Sequence, residues 1–167
     1  MILPERWNDG PAAVNAEIEA IIEEQRIERH AALMSRVAAL EARINELREQ
    51  RAVGGMIGHN QPPEPIIDVL DDLPAALETL GNAPLEAPEP EPIRQSVLVL
   101  RRALAALFGW TLDKVDTFVT EAIKKAGALT GALVAAGLAP YALDLASDIA
   151  ALVDAARGYL LAHGFPP

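Results

Sequence analysis

The side chains of this chain that could carry chemistry are spread along the sequence. The three histidines are His30, His59 and His163, and none of them has a second ligand at the three- or four-residue spacing that places two side chains on one helix face. Cysteine is absent, which excludes disulfides, thiolate catalysis and cysteine-based zinc sites. The sequence therefore predicts neither a metal site nor a cofactor site.

Two other arrangements match catalytic or nucleotide-binding sites only in part. Asp144 and Asp148 share one helix face, and two buried carboxylates could act as a general acid and a general base, but a solvated helix face is the expected setting. The glycines of segment 53–58 lack the Gly-Lys-Ser/Thr ending of a phosphate-binding loop, and no predicted strand precedes them. We therefore expect a protein that is not an enzyme.

The composition indicates an all-α fold. Hydrophobic residues make up 51% of the 167 residues and aromatic residues only 4%, so the apolar share is mostly Ala, Leu, Val and Ile. Ala and Leu are strong helix formers, and β-branched or aromatic runs bounded by turns are scarce. The net charge is −10, and residues 62–92 hold eight acids and no base. Because binding to nucleic acid requires clustered Lys and Arg, no nucleic-acid partner is expected.

A long amphipathic helix is predicted for residues 11–52, since Pro11 suits a first helical turn and no breaker follows before Gly54. Part of this helix follows a heptad repeat typical of a parallel two-stranded coiled coil. The seam of that repeat consists of Leu33, Val37, Leu40, Ile44 and Leu47. Upstream the register fails, because Glu23 and Arg26 would lie in the seam. Self-association into a homo-oligomer is one interpretation of the seam, and packing of the stripe on the rest of the chain is the other.

The remaining residues are predicted to form a lead, a linker and a second module. Residues 1–10 are expected to be a flexible lead. Residues 53–92 hold a Gly- and Pro-rich segment, room for one short helix, and an acidic proline-rich run at 83–92 that is expected to be a solvated linker. Residues 93–167 carry apolar stripes at helical spacing and are predicted to form a C-terminal bundle of three or four helices.

The Gly- and Pro-rich segment contains the string Gly58-His59-Asn60-Gln61-Pro62-Pro63-Glu64. This string resembles a Gly-His-Asn-x-Pro-Pro-Glu signature of small proteins encoded by phages, prophages and alphaproteobacterial genomes. In those proteins the signature lies near the start methionine. The resemblance therefore implies that Met56 occupies that place and that residues 1–55 are an N-terminal extension. It implies no particular activity.

The physical character of this string is that of a stiff, turn-rich peptide. Asn60 can bond its own backbone, and the proline pair restricts the residues that follow. An exposed peptide of this kind suits recognition by a protein partner. The candidate recognition residues are His59, Asn60, Gln61, Pro62, Pro63 and Glu64. A linker that caps the following helix is the alternative interpretation.

These patterns favour a non-enzymatic structural or accessory interaction protein of phage or prophage type. The alternative is a small membrane-active protein that acts in lysis or at the envelope through residues 94–163. It is suggested by an uncharged run at 126–143 with closely spaced small residues, although Pro140 and the weakly apolar Ala, Gly and Thr argue against insertion. The N-terminus lacks the basic start and apolar core of a signal peptide, so a cytoplasmic or virion-associated location is expected.

Overall fold

A computed structural model of the chain describes residues 10–54, 64–124 and 140–166, with side-chain detail for 10–49, 71–120 and 144–166. Throughout these ranges the regular structure is helical and no strand occurs, which confirms the predicted all-α fold. The helices described are α1 (Pro11–Gly54), α2 (Glu64–Gly81), α3 (Pro90–Phe108), α4 (Leu112–Lys124) and α5 (Pro140–Ala162).

The first helix, α1, is 44 residues long and therefore spans about 66 Å. It begins at Pro11, as predicted, because the fixed φ of proline suits a first turn and its missing N–H has no helical partner to lose. The amides of Ala13 and Val14 donate to the Gly10 carbonyl at 3.2 and 3.3 Å and close that first turn.

The last helix, α5, packs antiparallel along α1. Near one end of the pair, Nε of Arg26 lies 3.4 Å from the carbonyl oxygen of Ala162, and near the other end Arg43 donates to Asp148 at 3.2 Å. Because α5 ends beside Arg26, the preceding part of α1 extends past it by about 22 Å, the length of four helical turns. We call residues 11–25 the overhang.

One hydrophobic core joins all five helices. Each of them contributes a side chain that is 3% exposed or less, and these include Leu40, Leu77, Leu100, Val115 and Leu152 in order from α1 to α5. The core therefore extends across residue 93, the predicted start of the C-terminal module. Helices α3 to α5 do not bury their stripes only against one another, because α1 and α2 supply part of the surface that covers them.

The predicted coiled-coil seam is part of this core. Its five residues are between 0% and 4% exposed in the single chain: Leu33, Val37, Leu40, Ile44 and Leu47. Helices α2 and α5 of the same chain cover them, so they have no surface left for a second copy. In the single chain the stripe therefore packs on the rest of the chain, as the second interpretation has it, and self-association stays a prediction.

Residues 82–89 form a short loop between α2 and α3, where the sequence predicted a solvated linker. Ala83 and Pro88 are buried, whereas the acidic side chains of Glu86 and Glu89 are exposed. Helix α3 begins at Pro90, inside the predicted linker, with a proline in its first turn. The acids do face water as expected, but the backbone between them packs on the bundle and is held there by the contacts described below.

The turn between α3 and α4 gathers most of the described aromatic side chains. Helix α3 ends at Phe108 and is capped by Gly109, whose φ of 61° is left-handed, and the amide of Trp110 donates to the Ala105 carbonyl at 2.9 Å. This turn stacks Phe108 on Trp110 with ring centroids 4.3 Å apart, and Phe118 of α4 packs against both rings. The aromatic cluster fixes the angle at which α4 returns to the core.

Candidate functional site

The carbonyl groups of three successive residues in the loop 82–89 each contact a side chain of the bundle. His30 of α1 places Nε2 at 3.0 Å, Tyr159 of α5 donates its hydroxyl, and His163, just after α5, places Nε2 at 2.8 Å. The carbonyls contacted are, in the same order, those of Ala83, Pro84 and Leu85. We call this set of three side chains the loop clamp.

Helix geometry brings the loop clamp together. Tyr159 and His163 are four residues apart, so both lie on one face at the end of α5. His30 lies one turn before Leu33 on the side of α1 that faces α5. Its ring centroid is 6.0 Å from that of Tyr159, and the His163 centroid is 4.5 Å from Tyr159 on the other side. The three rings form a continuous row beneath the loop.

Tyr159 is the buried centre of this row, with an exposure of 0%. Burial raises the pKa of its phenol above the ordinary value of 10.0, because a phenolate would lose its hydration in this setting. The phenol therefore stays protonated, which it must do in order to donate to the Pro84 carbonyl. That bond also satisfies a carbonyl that the loop turns inward.

His163 contacts a carbonyl oxygen with each of its two ring nitrogens. Nδ1 lies 2.9 Å from the carbonyl oxygen of Tyr159, and Nε2 lies 2.8 Å from that of Leu85. The Tyr159 carbonyl lacks its usual helical donor, because the His163 amide bonds to the Leu160 carbonyl at 3.1 Å instead. The last turn thus leaves a backbone acceptor open, and the imidazole fills it.

A cavity of about 420 Å³ lies beside the loop clamp. Its walls come from α1, from the loop and from the chain after α5, and its charged lining residues are Glu23, Arg26 and Glu86 beside His163. Glu23 and Arg26 pair with each other at 3.5 Å. Because both nitrogens of His163 are directed at backbone carbonyls, that ring offers no free nitrogen for proton transfer to a bound molecule. The arrangement fastens the loop.

The overhang of α1 carries a second feature, which is an exposed apolar face. Ile18 is 38% exposed and Ile22 is 41% exposed. Ile22 precedes Leu33 by eleven residues, which is three helical turns, so both lie on the same side of α1. The side that packs in the core further along α1 therefore continues into the overhang, past the end of α5. Ile27, at 51% exposure, lies on a different side.

A groove between α1 and α2 is the third feature, with a volume of about 540 Å³. The apolar residues Val37 and Leu77 line its floor, and they are only 4% and 3% exposed. Its rim carries both signs of charge, from Glu41, Glu78 and Arg48. The buried floor offers little apolar surface to a ligand, and the three charged rim residues sum to a net charge of only −1.

Ion pairs also connect the helices. Asp116 of α4 accepts hydrogen bonds from Arg101 of α3 and, at 2.7 Å, from Arg157 of α5. Asp148, one of the two carboxylates that sequence spacing places on a shared face, pairs with Arg43 of α1 at 3.2 Å. The hydrogen bond to Asp148 raises the pKa of Arg43. Asp148 therefore links two helices as an ion-pair partner.

The structure does not bring the sequence-predicted site residues together. The five seam residues lie in the core, as described above. His59, Asn60, Gln61, Pro62 and Pro63 lie outside the described residues, and Glu64 is the first residue of α2, with no side-chain detail. The seam and the peptide that was predicted to bind a partner therefore share no described surface.

The loop clamp is the feature that sequence reasoning missed. The sequence does show that Tyr159 and His163 are four residues apart, which places them on one helix face. Their partners, however, are backbone carbonyls, which every residue carries, so no residue type in the loop 82–89 predicts these contacts.

Within the ranges that the structure describes, no group of three or more His, Cys, Asp or Glu side chains could hold a metal ion. None of the described helices combines the length and the apolar character needed to cross a bilayer. Most of the uncharged run 126–143 lies outside those ranges. Comparisons with protein families, with curated proteins and with solved structures find no match to this chain.

Proposed function

We propose that this chain is a structural or accessory interaction protein without enzymatic activity, and that it associates with a second copy of itself through the overhang of α1. The observation that carries the proposal is the exposure of Ile18 and Ile22 on the side of α1 that is buried elsewhere in the helix. Removing such side chains from water is the main driving force for association.

Self-association would use α1, but through a part of that helix other than the predicted seam. Residues 33–47 are covered by the same chain, while the overhang extends past α5 by about 22 Å. Two isoleucines provide a small apolar area, so the association is weak, with a Kd of about 10 μM, or about −7 kcal/mol. The phage or prophage type of the protein, with a cytoplasmic or virion-associated location, rests on the resemblance of residues 58–64 alone.

Sedimentation velocity of the full chain tests this proposal. We expect the wild type to shift from monomer to dimer as its concentration rises through tens of micromolar. Ile18→Asp with Ile22→Asp should keep the chain monomeric, because a dimer would then bury unpaired carboxylates. Ile27→Asp is the matched control, since it changes a more exposed isoleucine on another side of α1 and should leave the dimer intact. A wild type that stays monomeric over this range contradicts the proposal.

A further inference from the structure

Both ring nitrogens of His163 face carbonyl oxygens, and a carbonyl can only accept a hydrogen bond. Nδ1 is 2.9 Å from the Tyr159 oxygen and Nε2 is 2.8 Å from the Leu85 oxygen. A neutral imidazole carries one N–H and can donate to only one of them, whereas the imidazolium ion carries two and can donate to both. The geometry therefore matches the protonated ring.

We propose that His163 is a pH-sensitive latch that fastens the end of α5 to the loop 82–89 when its ring is protonated and gives up one of its two hydrogen bonds when the ring loses a proton. This inference is independent of self-association through α1. The latch joins the loop between α2 and α3 to the last turn of α5, so it controls how firmly that loop is held on the bundle.

The charged groups around His163 come from two other elements. From α1, Glu23 and Arg26 line the cavity beside the ring, and Glu86 lines it from the loop. Two carboxylates and one guanidinium give these three neighbours a net charge of −1. Tyr159, whose ring contacts that of His163 from the same helix, is uncharged while its phenol is protonated.

Loss of the proton has a definite consequence for the loop. Whichever tautomer forms, one carbonyl loses its donor, either at the end of α5 or at Leu85. The other two members of the loop clamp, His30 and Tyr159, remain in place, so the loop is expected to open more often while the bundle stays folded. The latch is therefore complete while the ring carries two protons and is weakened when the ring has lost one of them.

Cleavage of the folded chain by a glutamate-specific protease measures this opening. Glu86 is the one cleavable glutamate of the loop, because Glu89 and Glu91 both precede proline. The rate of cleavage after Glu86 should be compared between the wild type and His163→Gln at two pH values. These are about pH 5.5 and about pH 8, which lie on either side of the pKa of an ordinary histidine side chain. Taking the ratio of the two proteins at each pH cancels the pH dependence of the protease.

Glutamine has one N–H₂ group and does not titrate, so it imitates the neutral ring. We expect His163→Gln to be cut about tenfold faster than the wild type at the lower pH, which corresponds to ~1.4 kcal/mol for the lost bond, and at nearly the same rate at the higher pH. Tyr159→Phe is the control, because it removes a donor whose pKa lies above 10.0, and it should change the cleavage rate by the same factor at both pH values. A His163→Gln ratio that is the same at both values overturns the latch.

Nitrogen NMR of the wild-type ring provides a second measurement, which stands even if His163→Gln does not fold. In the folded chain at about pH 5.5 we expect both ring nitrogens of His163 to carry protons and both to show coupling across their hydrogen bonds to a carbonyl. A single protonated nitrogen at that pH, with the loop still in place, would show that the neutral ring forms the contact and would overturn the proposal.

Discussion

The hydroxyl of Tyr159 donates a hydrogen bond to the carbonyl of Pro84, which lies 75 residues earlier in the chain. This bond joins the last helix to the loop that follows α2, and it lies at the buried centre of the loop clamp. It connects two segments that share no sequence pattern, and its acceptor is a backbone atom. Its energetic role can be separated from packing, because phenylalanine fills the same space without the hydroxyl.

Replacing Tyr159 with Phe should lower the free energy of unfolding at neutral pH by about 0.5–1.5 kcal/mol, because the part-buried hydrogen bond to the Pro84 carbonyl is then lost. The measurement is urea unfolding followed by circular dichroism. Thr79→Val is the control for the loss of a hydroxyl, since Thr79 donates only within its own helix at a partly exposed position. A loss equal to that of the control would show that the bond to Pro84 contributes nothing specific.

The same residue predicts a loss of stability in alkaline solution. The pKa of the Tyr159 phenol is raised above 10.0 in the folded chain, so the unfolded chain releases the proton at a lower pH than the folded chain does. The stability linked to this group is complete below about pH 10 and falls as the pH rises toward the folded-state pKa. Tyr159→Phe should remove this part of the alkaline loss. If the free energy of unfolding falls with pH at the same slope in Tyr159→Phe as in the wild type between about pH 9.5 and 11, the expectation is contradicted.

The assignment of the seam to the core predicts what its mutation does. Leu40 is 0% exposed, so Leu40→Ala should lower the free energy of unfolding by about 2–5 kcal/mol through lost burial and the cavity left behind. A residue in an interface between chains would give a dimer that dissociates into folded monomers. The comparison variant is Ile22→Ala in the overhang, which should change monomer stability by about 0.5 kcal/mol or less. Thermal unfolding at low concentration distinguishes the two outcomes.

The seam shows how far the sequence pattern reaches. The spacing of Leu33, Val37 and Leu40 predicted correctly that one stripe of α1 is buried. It could not predict which surface covers that stripe, because a helix of the same chain and a helix of a second copy both demand apolar residues at the same spacing. The failure of the heptad register at Glu23 and Arg26 marks the place where α5 ends.

The loop 82–89 shows what a count of charged residues can and cannot predict. Counting charges predicted correctly that Glu86 and Glu89 face water. It missed the docking of the loop, because docking depends on the carbonyls of Ala83, Pro84 and Leu85, and a carbonyl leaves no mark in the sequence. The donors were visible as Tyr159 and His163 at helical spacing, but only the fold shows that the end of α5 lies beneath this loop.

Ala87 predicts a substitution that increases stability. Its φ of 47° is left-handed, a conformation that costs a residue with a Cβ roughly 1–2 kcal/mol. Ala87→Gly should relieve this strain and, after the added freedom of the unfolded chain, raise the free energy of unfolding by roughly 0.5–1 kcal/mol. Ala87→Val should lower it by more than ~1 kcal/mol, since a β-branched side chain crowds this backbone further. Urea midpoints that move in the same direction for both variants would contradict the assignment.

Asp116 predicts coupling among three helices, because its carboxylate accepts from Arg101 of α3 and from Arg157 of α5. Asp116→Ala should lower the free energy of unfolding by about 1 kcal/mol, a modest value because its side chain is 38% exposed and the pairs are partly screened by water. Asp144→Ala, which removes an exposed carboxylate from α5, is the control and should have a smaller effect.

The decisive measurement is a double-mutant cycle of Asp116→Ala with Arg157→Met, repeated at low and high salt. Methionine keeps most of the apolar stem of arginine and removes its charge, so the cycle isolates the ion pair from packing. We expect a coupling free energy of about 0.5–1 kcal/mol at low salt that decreases as salt is added, because these charges lie near the surface. Strictly additive losses would show that Asp116 and Arg157 stabilise the bundle independently, and that their contact does not hold α4 against α5.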